Sequence, residues 1–441
     1  MNTETPIFLR SQSRARRESW LLPAAIWLAL FVCGGAAWIF KMRSRSGPEL
    51  LPLSPLQVLI PLTGAGALFA ILMAHGARFP KILARSRASI LFGVGIAFIS
   101  LGAALHFRLG PSGVEAVLFI ARWFMPFFFA TFYWFAERHG VTWRPLAWGL
   151  VVGALVSGLA VELYRRGVNL PIDQKTEGRF GGFFSHPNQY GIVTSVSACF
   201  IAVFLHSQAR WLKLLGLAMM PIWGLCLFQS LSKTNMILFV VTLMACGFVF
   251  SLQSVRKLLK ALFLSGALLV VLGVMGALTL QFMGTFMPRE AKLLEDAIFD
   301  PRGVRSLDVR EDVWADAWTH IVAHPWLGLG PGRANEALIK NHAHNLFMQM
   351  QIDAGLLGFI GICFVVIATL WRAAELARAA MRHRGEMTDD DAVRYSAGVG
   401  LVIYVIGNSM SDSFGTATIP IFCMFFALAF VNLDWKTDAA D

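Results

Sequence analysis

The chain has 441 residues, of which 56% are hydrophobic and 15% charged, with 36 Phe and 14 Trp. A soluble chain of this size needs far more charge to cover its surface, so the composition excludes an ordinary soluble globular protein and makes the bilayer the main solvent. The net charge of +11 does not point to nucleic acid, because the basic residues are scattered among short loops, as the positive-inside rule produces.

Arg10, Arg14, Arg16 and Arg17 precede an uncharged run from Trp20 to Phe40. That run is long enough, at ~1.5 Å per residue, to cross ~30 Å of hydrocarbon. It has no small-residue cleavage site, so it reads as a retained first helix and not as a cleavable signal peptide. Further apolar runs long enough to span follow at about 54–75, 88–106, 115–136, 145–164, 188–206, 211–230, 234–253, 261–283, 346–371, 395–411 and 415–433. The sequence therefore predicts an all-α polytopic membrane protein of about twelve transmembrane helices, with both ends on one side. Short segments facing that side, such as 76–87, 254–260 and 372–394, are rich in Lys and Arg, which predicts cytoplasmic termini. The two longer connections, 165–187 and 284–345, then lie outside. The chain divides into nine spans (1–283), an outer loop region (284–345) and three last spans (346–441). Cys33, Cys199, Cys226, Cys246, Cys363 and Cys423 all fall inside apolar runs, where they read as packing residues.

The connection 284–345 is the one large hydrophilic block. Within it, Asp308 to Val322 sets Val313, Trp314, Ala317 and Trp318 at helical spacing, which predicts an amphipathic helix against the membrane or a neighbouring helix. The segment HPWLGLGPG (324–332) follows and predicts a tight turn.

Basic residues on the outside work against the topology signal, so something retains them. They are Arg165, Arg166, Lys175 and Arg179 in one connection and Arg289, Lys292, Arg302, Arg305, Arg310, Arg333 and Lys340 in the other, with Lys233 between spans seven and eight. Two explanations fit: solvation beside anionic headgroups of membrane lipids, or a phosphate site at the membrane boundary, where guanidinium groups grip phosphate oxygens in pairs. Arg122, well inside the fourth span, is costly in lipid by ~2.5–3.5 kcal/mol on insertion scales. Either it snorkels outward or it lines a lipid-phosphate cavity.

The run Asn341-His342-Ala343-His344-Asn345 opens the tenth span. A helix starting here turns its free N–H groups and positive dipole end to the outer boundary, a field that favours neutral imidazole able to accept a proton. Such a His acts either as a general base or as an interfacial residue bonded to a carbonyl. If the run is helical, His342 and His344 are ~200° apart and one side cannot present both. No Cys or carboxylate stands at zinc-ligand spacing beside them, and the acidic run Asp389-Asp390-Asp391 falls on the cytoplasmic side. Positive side chains, with no metal or other cofactor, are therefore the expected partners of phosphate charge.

From His344 the chain reads His, Asn, nine residues, Gly355, two residues, Gly358, which resembles the signature of the O-antigen ligase family and its relatives. Three earlier segments are similar to that superfamily in the same order: GRFGGFFSHPN (178–188), SLSKTNMIL (230–238, with Lys233 in place of an Arg) and VREDVWADAWTHIVAHPWLGLGPG (309–332). The resemblance covers about 178–358.

The resemblance implies a membrane glycosyltransferase of the GT-C type with a helical periplasmic region. It implies an undecaprenyl pyrophosphate-linked glycan as donor, lipid A–core oligosaccharide as acceptor, and neither metal nor nucleotide. Carried over residue by residue, it makes His344 the candidate base, accompanied by His342 and Asn345. Arg179 and Arg310 become the pyrophosphate ligands, with Lys233, Arg305, Arg302, Arg166 and Arg122 as further candidates. An O-antigen polymerase or a protein O-oligosaccharyltransferase shares much of this pattern. A flippase or transporter for polyprenyl lipids also carries cations in membrane cavities, but more often shows internal repeats and broken helices near the midplane.

Overall fold

An apolar chain in lipid has one local way to satisfy its amide and carbonyl groups, the helix, because no water is at hand to bond them. The computed structural model describes residues 22–31, 87–107, 111–138, 140–141, 143–170, 172, 180–182, 187–205, 210–230, 232–251, 305–339, 342–382 and 389–409, with single positions between 259 and 292. Every regular element among them is an α-helix. In chain order they are α1 (Leu22–Phe31), α2 (Arg87–Ala104), α3 (Pro111–Arg138), α4 (Arg144–Arg165), α5 (Pro187–Leu205), α6 (Arg210–Ser230) and α7 (Lys233–Ser251). Then come α8 (Arg305–Ala323), the single turn α9 (Ala334–Ala337), α10 (Leu346–Arg382) and α11 (Asp389–Ser409).

Among the described residues, four stretches are long and apolar enough to cross a membrane: Arg87–Ala104, Gly113–Ala130, Arg144–Arg165 and Leu346–Ala379. Helices α2 to α7 begin and end within a few residues of the runs expected from hydropathy, whereas α10 continues to Arg382, past the expected 371, and α11 starts at Asp389, ahead of the expected 395. Of the first expected span, only 22–31 is among the described residues. The expected spans at 54–75, 261–283 and 415–433 lie outside the described residues. The expected amphipathic helix is α8, with one change of face. Val313, Ala317 and Ile321 are buried at i, i+4, i+8, whereas Trp318 is 59% exposed. Trp318 stands ~100° further round than Ala317, so the stripe that packs well leaves it out.

Small residues let the membrane helices approach closely. Gly95 of α2 and Gly361 of α10 face each other so tightly that a Cβ on either would lie 2.6 Å from the other's carbonyl oxygen. Phe98 and Phe364 stack beside them, with ring centroids 5.8 Å apart. Dispersion contacts and close backbones, more than water exclusion, hold helices together in lipid, so this crossing anchors the bundle. On the other flank α11 packs against α7, where Gly400 admits the Cys246 thiol and Gly407 admits Leu238.

Helix α10 is broken near its start. Gly355 has φ 63° and ψ −156°, a conformation open in practice to glycine alone. The break frees main-chain groups, and the turn after α8 takes them up. The Leu329 N–H donates to the Ile352 carbonyl at 2.7 Å, and the Leu356 N–H donates to the Trp326 carbonyl at 3.2 Å. The HPWLGLGPG segment is therefore a backbone plug in the gap of α10.

Close contacts set α2 against α10 and α7 against α11 in opposite directions, so the α2 end near 106 meets the α10 start and the α11 end near 409 meets the α7 start. Long-range contacts agree: the His106 Nε2 is 2.6 Å from the Leu327 carbonyl oxygen, and the Tyr404 hydroxyl donates to the Asn235 Oδ1.

Gly355→Ala should cost at least ~3 kcal/mol, since the new Cβ keeps a left-handed backbone and collides with the Trp326 carbonyl. Gly224→Ala, in α6 with nothing within 4 Å of the added methyl, should not lower stability. Thermal unfolding of both variants in mild detergent measures the difference; equal melting temperatures would remove the plug from its structural role.

Candidate functional site

Ala343 is the fixed point of the histidine segment. Its side chain is fully buried in a cluster with Ala317 and Ile321 of α8, Ala334, Leu338 and Ile352. Its N–H donates to the Gln349 Oε1 at 2.9 Å, and the Gln349 Nε2 donates to the Asp353 Oδ2 at 2.9 Å. With Ala343 held, the flanking residues bring their rings together. The His342 and His344 centroids are 3.9 Å apart. This corrects the helical expectation of imidazoles on opposite sides: residues 342–345 precede α10 and are not helical. Among the described residues, His344 is the one non-glycine residue with positive φ, at 49°. Backbone strain of this kind concentrates at functional sites.

Asn345 starts α10. Its Oδ1 accepts the N–H groups of Phe347 (3.0 Å) and Met348 (3.3 Å), the contacts of an N-cap. Arg310 shares the α8 face of Val313 and Ala317, three and seven residues on, and that face packs against Ala343. Arg122 of α3 is half-buried and within electrostatic reach of Asp353 and Glu115.

The glycines of the plug each make room for a different element. Gly328, Gly330 and Gly332 all have positive φ (72°, 104° and 82°). A Cβ on Gly328 would strike the Gln351 carbonyl oxygen at 2.7 Å, one on Gly330 the His106 ring at 3.0 Å, and one on Gly332 the Glu115 carboxylate carbon at 2.7 Å. The motif thus seats the turn among α2, α3 and α10.

A second polar group forms where α4, α6, α7 and α11 meet the segment 180–188. The Gln229 Nε2 donates to the Glu162 Oε1 at 2.7 Å, and the Gln229 Oε1 accepts the Tyr190 hydroxyl at 3.0 Å. The Phe180 N–H donates to the Gln229 carbonyl at 3.0 Å. Arg165 pairs with Glu162 at 3.4 Å and lies 4.6 Å over the Phe180 ring. The Asn235 Nδ2 reaches the Asn188 carbonyl at 3.2 Å and the Ser232 Oγ at 2.7 Å. So the 178–188 and 230–238 segments, far apart in sequence, are bonded to each other.

Of the expected site residues, His342, His344 and Asn345 lie together at the α10 start. Arg310 is partly buried on α8, two turns before the Ala317 that packs on Ala343. Arg122 is within electrostatic reach of Asp353. Arg166 is exposed and closes the C-terminus of α4. Lys233 and Arg305 begin α7 and α8, and their side chains lie outside the description, as do residues Arg179 and Arg302 altogether. Glu162, Gln229, Asn235, Gln349 and Asp353 escaped the sequence reading. Each is a polar residue within or bordering an apolar run, a position that marks a functional candidate in lipid. Among the described residues, no group of three or more His, Cys, Asp or Glu side chains is arranged to hold a metal ion.

Among the described residues, an all-helical bundle with four membrane-length helices is the architecture of a polytopic membrane protein. Residues 218–363 match the family model described as O-antigen ligase, a stretch that runs from within α6 past Gly358. Over that stretch, about a third of its length, the chain is similar to the O-antigen ligase family. Comparison with curated proteins yields no match.

Asn345→Ala should destabilise by about 1 kcal/mol, the usual cost of an N-cap, while Asn345→Asp keeps an acceptor for both N–H groups and the stability. Melting temperatures in detergent check this; if the two variants melt alike, the cap carries no weight.

Proposed function

We propose that the protein transfers a glycan from undecaprenyl pyrophosphate to lipid A–core oligosaccharide at the periplasmic face of the bacterial inner membrane, with inversion and without a metal ion. The observation that carries this reading is the strained His344, seated against His342 inside the segment matched to the O-antigen ligase family. His344 takes the proton from an acceptor hydroxyl as that oxygen attacks the anomeric carbon. The bond from that carbon to the pyrophosphate oxygen breaks on the opposite face, and undecaprenyl pyrophosphate leaves. Direct displacement inverts the anomeric centre. Arg310, with Arg179 from the other outer connection, meets the charge that grows on the leaving group. The pyrophosphate stops at headgroup level because its polyprenyl tail stays in lipid.

His344→Asn tolerates the left-handed backbone but has no base, so transfer should fall by about 10²- to 10⁴-fold with folding intact. His342→Ala should be milder. Purified protein given lipid-linked glycan and rough lipopolysaccharide measures this, and the reverse ranking would move the base to His342. Supplying a second lipid-linked glycan as acceptor separates ligation from polymerisation.

Arg310→Lys keeps the charge but loses the paired donors, so it should weaken transfer by about 10- to 100-fold, matching the ~1.5–3 kcal/mol of a charged hydrogen bond. Kinetics at varied donor concentration test this. Wild-type rates in Arg310→Lys would remove Arg310 from the phosphate site.

A further inference from the structure

We infer that Gln349 and Asp353 are positioning residues that set the two histidines through the main chain of Ala343. The three residues form a buried line: Ala343 is 0% exposed, Asp353 6% and Gln349 8%. Ala343 N–H donates to Gln349, and Gln349 donates to Asp353, both at 2.9 Å. Chemistry fixes the direction of this line. A main-chain N–H can only donate and a carboxylate can only accept, so the Gln349 amide has one orientation that serves both. An amide at 349 is the side chain that joins a donor on one side to an acceptor on the other.

Both ends of the line are anchored. Asp353 is buried and within electrostatic reach of Arg122 on α3. At the other end Ala343 lies between His342 and His344, so its peptide orientation is shared with both. The left-handed His344 needs surrounding structure to hold it, since such a conformation costs ~1–3 kcal/mol. Residues 345, 349 and 353 follow each other at i, i+4, i+8 along the first turns of α10, ahead of the break at Gly355. The relay and the cap therefore share one helical stripe, and the plug that seals the break at Gly355 keeps this short stretch in place.

The kinetic consequence rests on His344 acting as the base; the structural one does not. Gln349→Glu sets two carboxylates face to face and loses the donor to Asp353. Asp353→Asn keeps an acceptor for Gln349. Combining Gln349→Glu with Asp353→Asn restores both bonds with the central roles exchanged. The amide introduced at position 353 can donate to the carboxylate introduced at position 349, which still accepts from the Ala343 N–H.

The test compares these three variants with wild type in two measurements: amide hydrogen exchange across 341–346, and transfer from undecaprenyl pyrophosphate-linked glycan to rough lipopolysaccharide. Expected are faster exchange in Gln349→Glu and a kcat lower by roughly 100-fold at unchanged donor KM, as for a ~1 Å misplacement of a reacting group. The double variant should recover slow exchange and most of kcat. A double variant as impaired as Gln349→Glu alone, whether inactive or unfolded, overturns the inference. So does Gln349→Glu with wild-type exchange. If wild-type protein transfers no glycan, the function proposed above fails, and the exchange measurements still decide whether the relay exists.

Discussion

A helix interrupted inside an apolar medium must find partners for the main-chain groups that the interruption sets free, because lipid supplies none. At Gly355 those partners are the carbonyl and amide groups of Trp326 and Leu329, contributed by a turn that follows α8. Much else follows from that one docking. It holds the outer helix α8 against the start of α10, and it brings Gly330 under His106 and Gly332 against Glu115. It also packs Ala317 and Ile321 around Ala343, and so determines where the two imidazoles lie.

The glycines of this region read differently once that docking is known. A Gly-x-Gly-x-Gly run invites comparison with loops that cradle phosphate on bare amides. Here every position is occupied by protein: α10 main chain at Gly328, an imidazole at Gly330 and a carboxylate at Gly332. The glycines serve close approach of the chain to α10, His106 and Glu115. In the same way Gly355 and Gly358, which carry the recognisable spacing after His344, are explained by backbone geometry. A Cβ on Gly358 would lie 2.7 Å from the Ala354 Cβ across the bend.

Helix positions and their limits were legible because hydropathy over twenty residues is a strong signal, and lipid leaves little choice of secondary structure. The amphipathic α8 was legible from spacing, although which of its aromatic residues packs was not. Trp314 is half-buried and Trp318 exposed, a distinction that depends on the shape of the partner surface. The histidine pair was visible as a motif, but its geometry was not. Continuing α10 upstream predicted opposed rings, whereas the Asn345 cap ends the helix at that point and the left-handed His344 turns the chain back. Gln229 and Glu162 stayed hidden because their bond joins two helices, and one-dimensional spacing carries no record of such pairs.

Two polar groups form where helices end or begin. Glu162 and Gln229 stand in the last turns of α4 and α6 and Tyr190 in the first turn of α5, while the histidine segment precedes α10. Desolvated polar side chains cost little only where they bond each other, and Glu162, Gln229, Tyr190 and Phe180 do so within hydrogen-bonding distance. A transporter needs its polar residues near the midplane, reachable from both sides in turn. Here the Glu162–Gln229–Tyr190 group and the histidine segment lie near helix ends, whereas Arg372 pairs with Glu375 at 2.6 Å far along α10. That arrangement suits chemistry on a substrate whose lipid tail lies in the membrane and whose reacting sugar lies outside it.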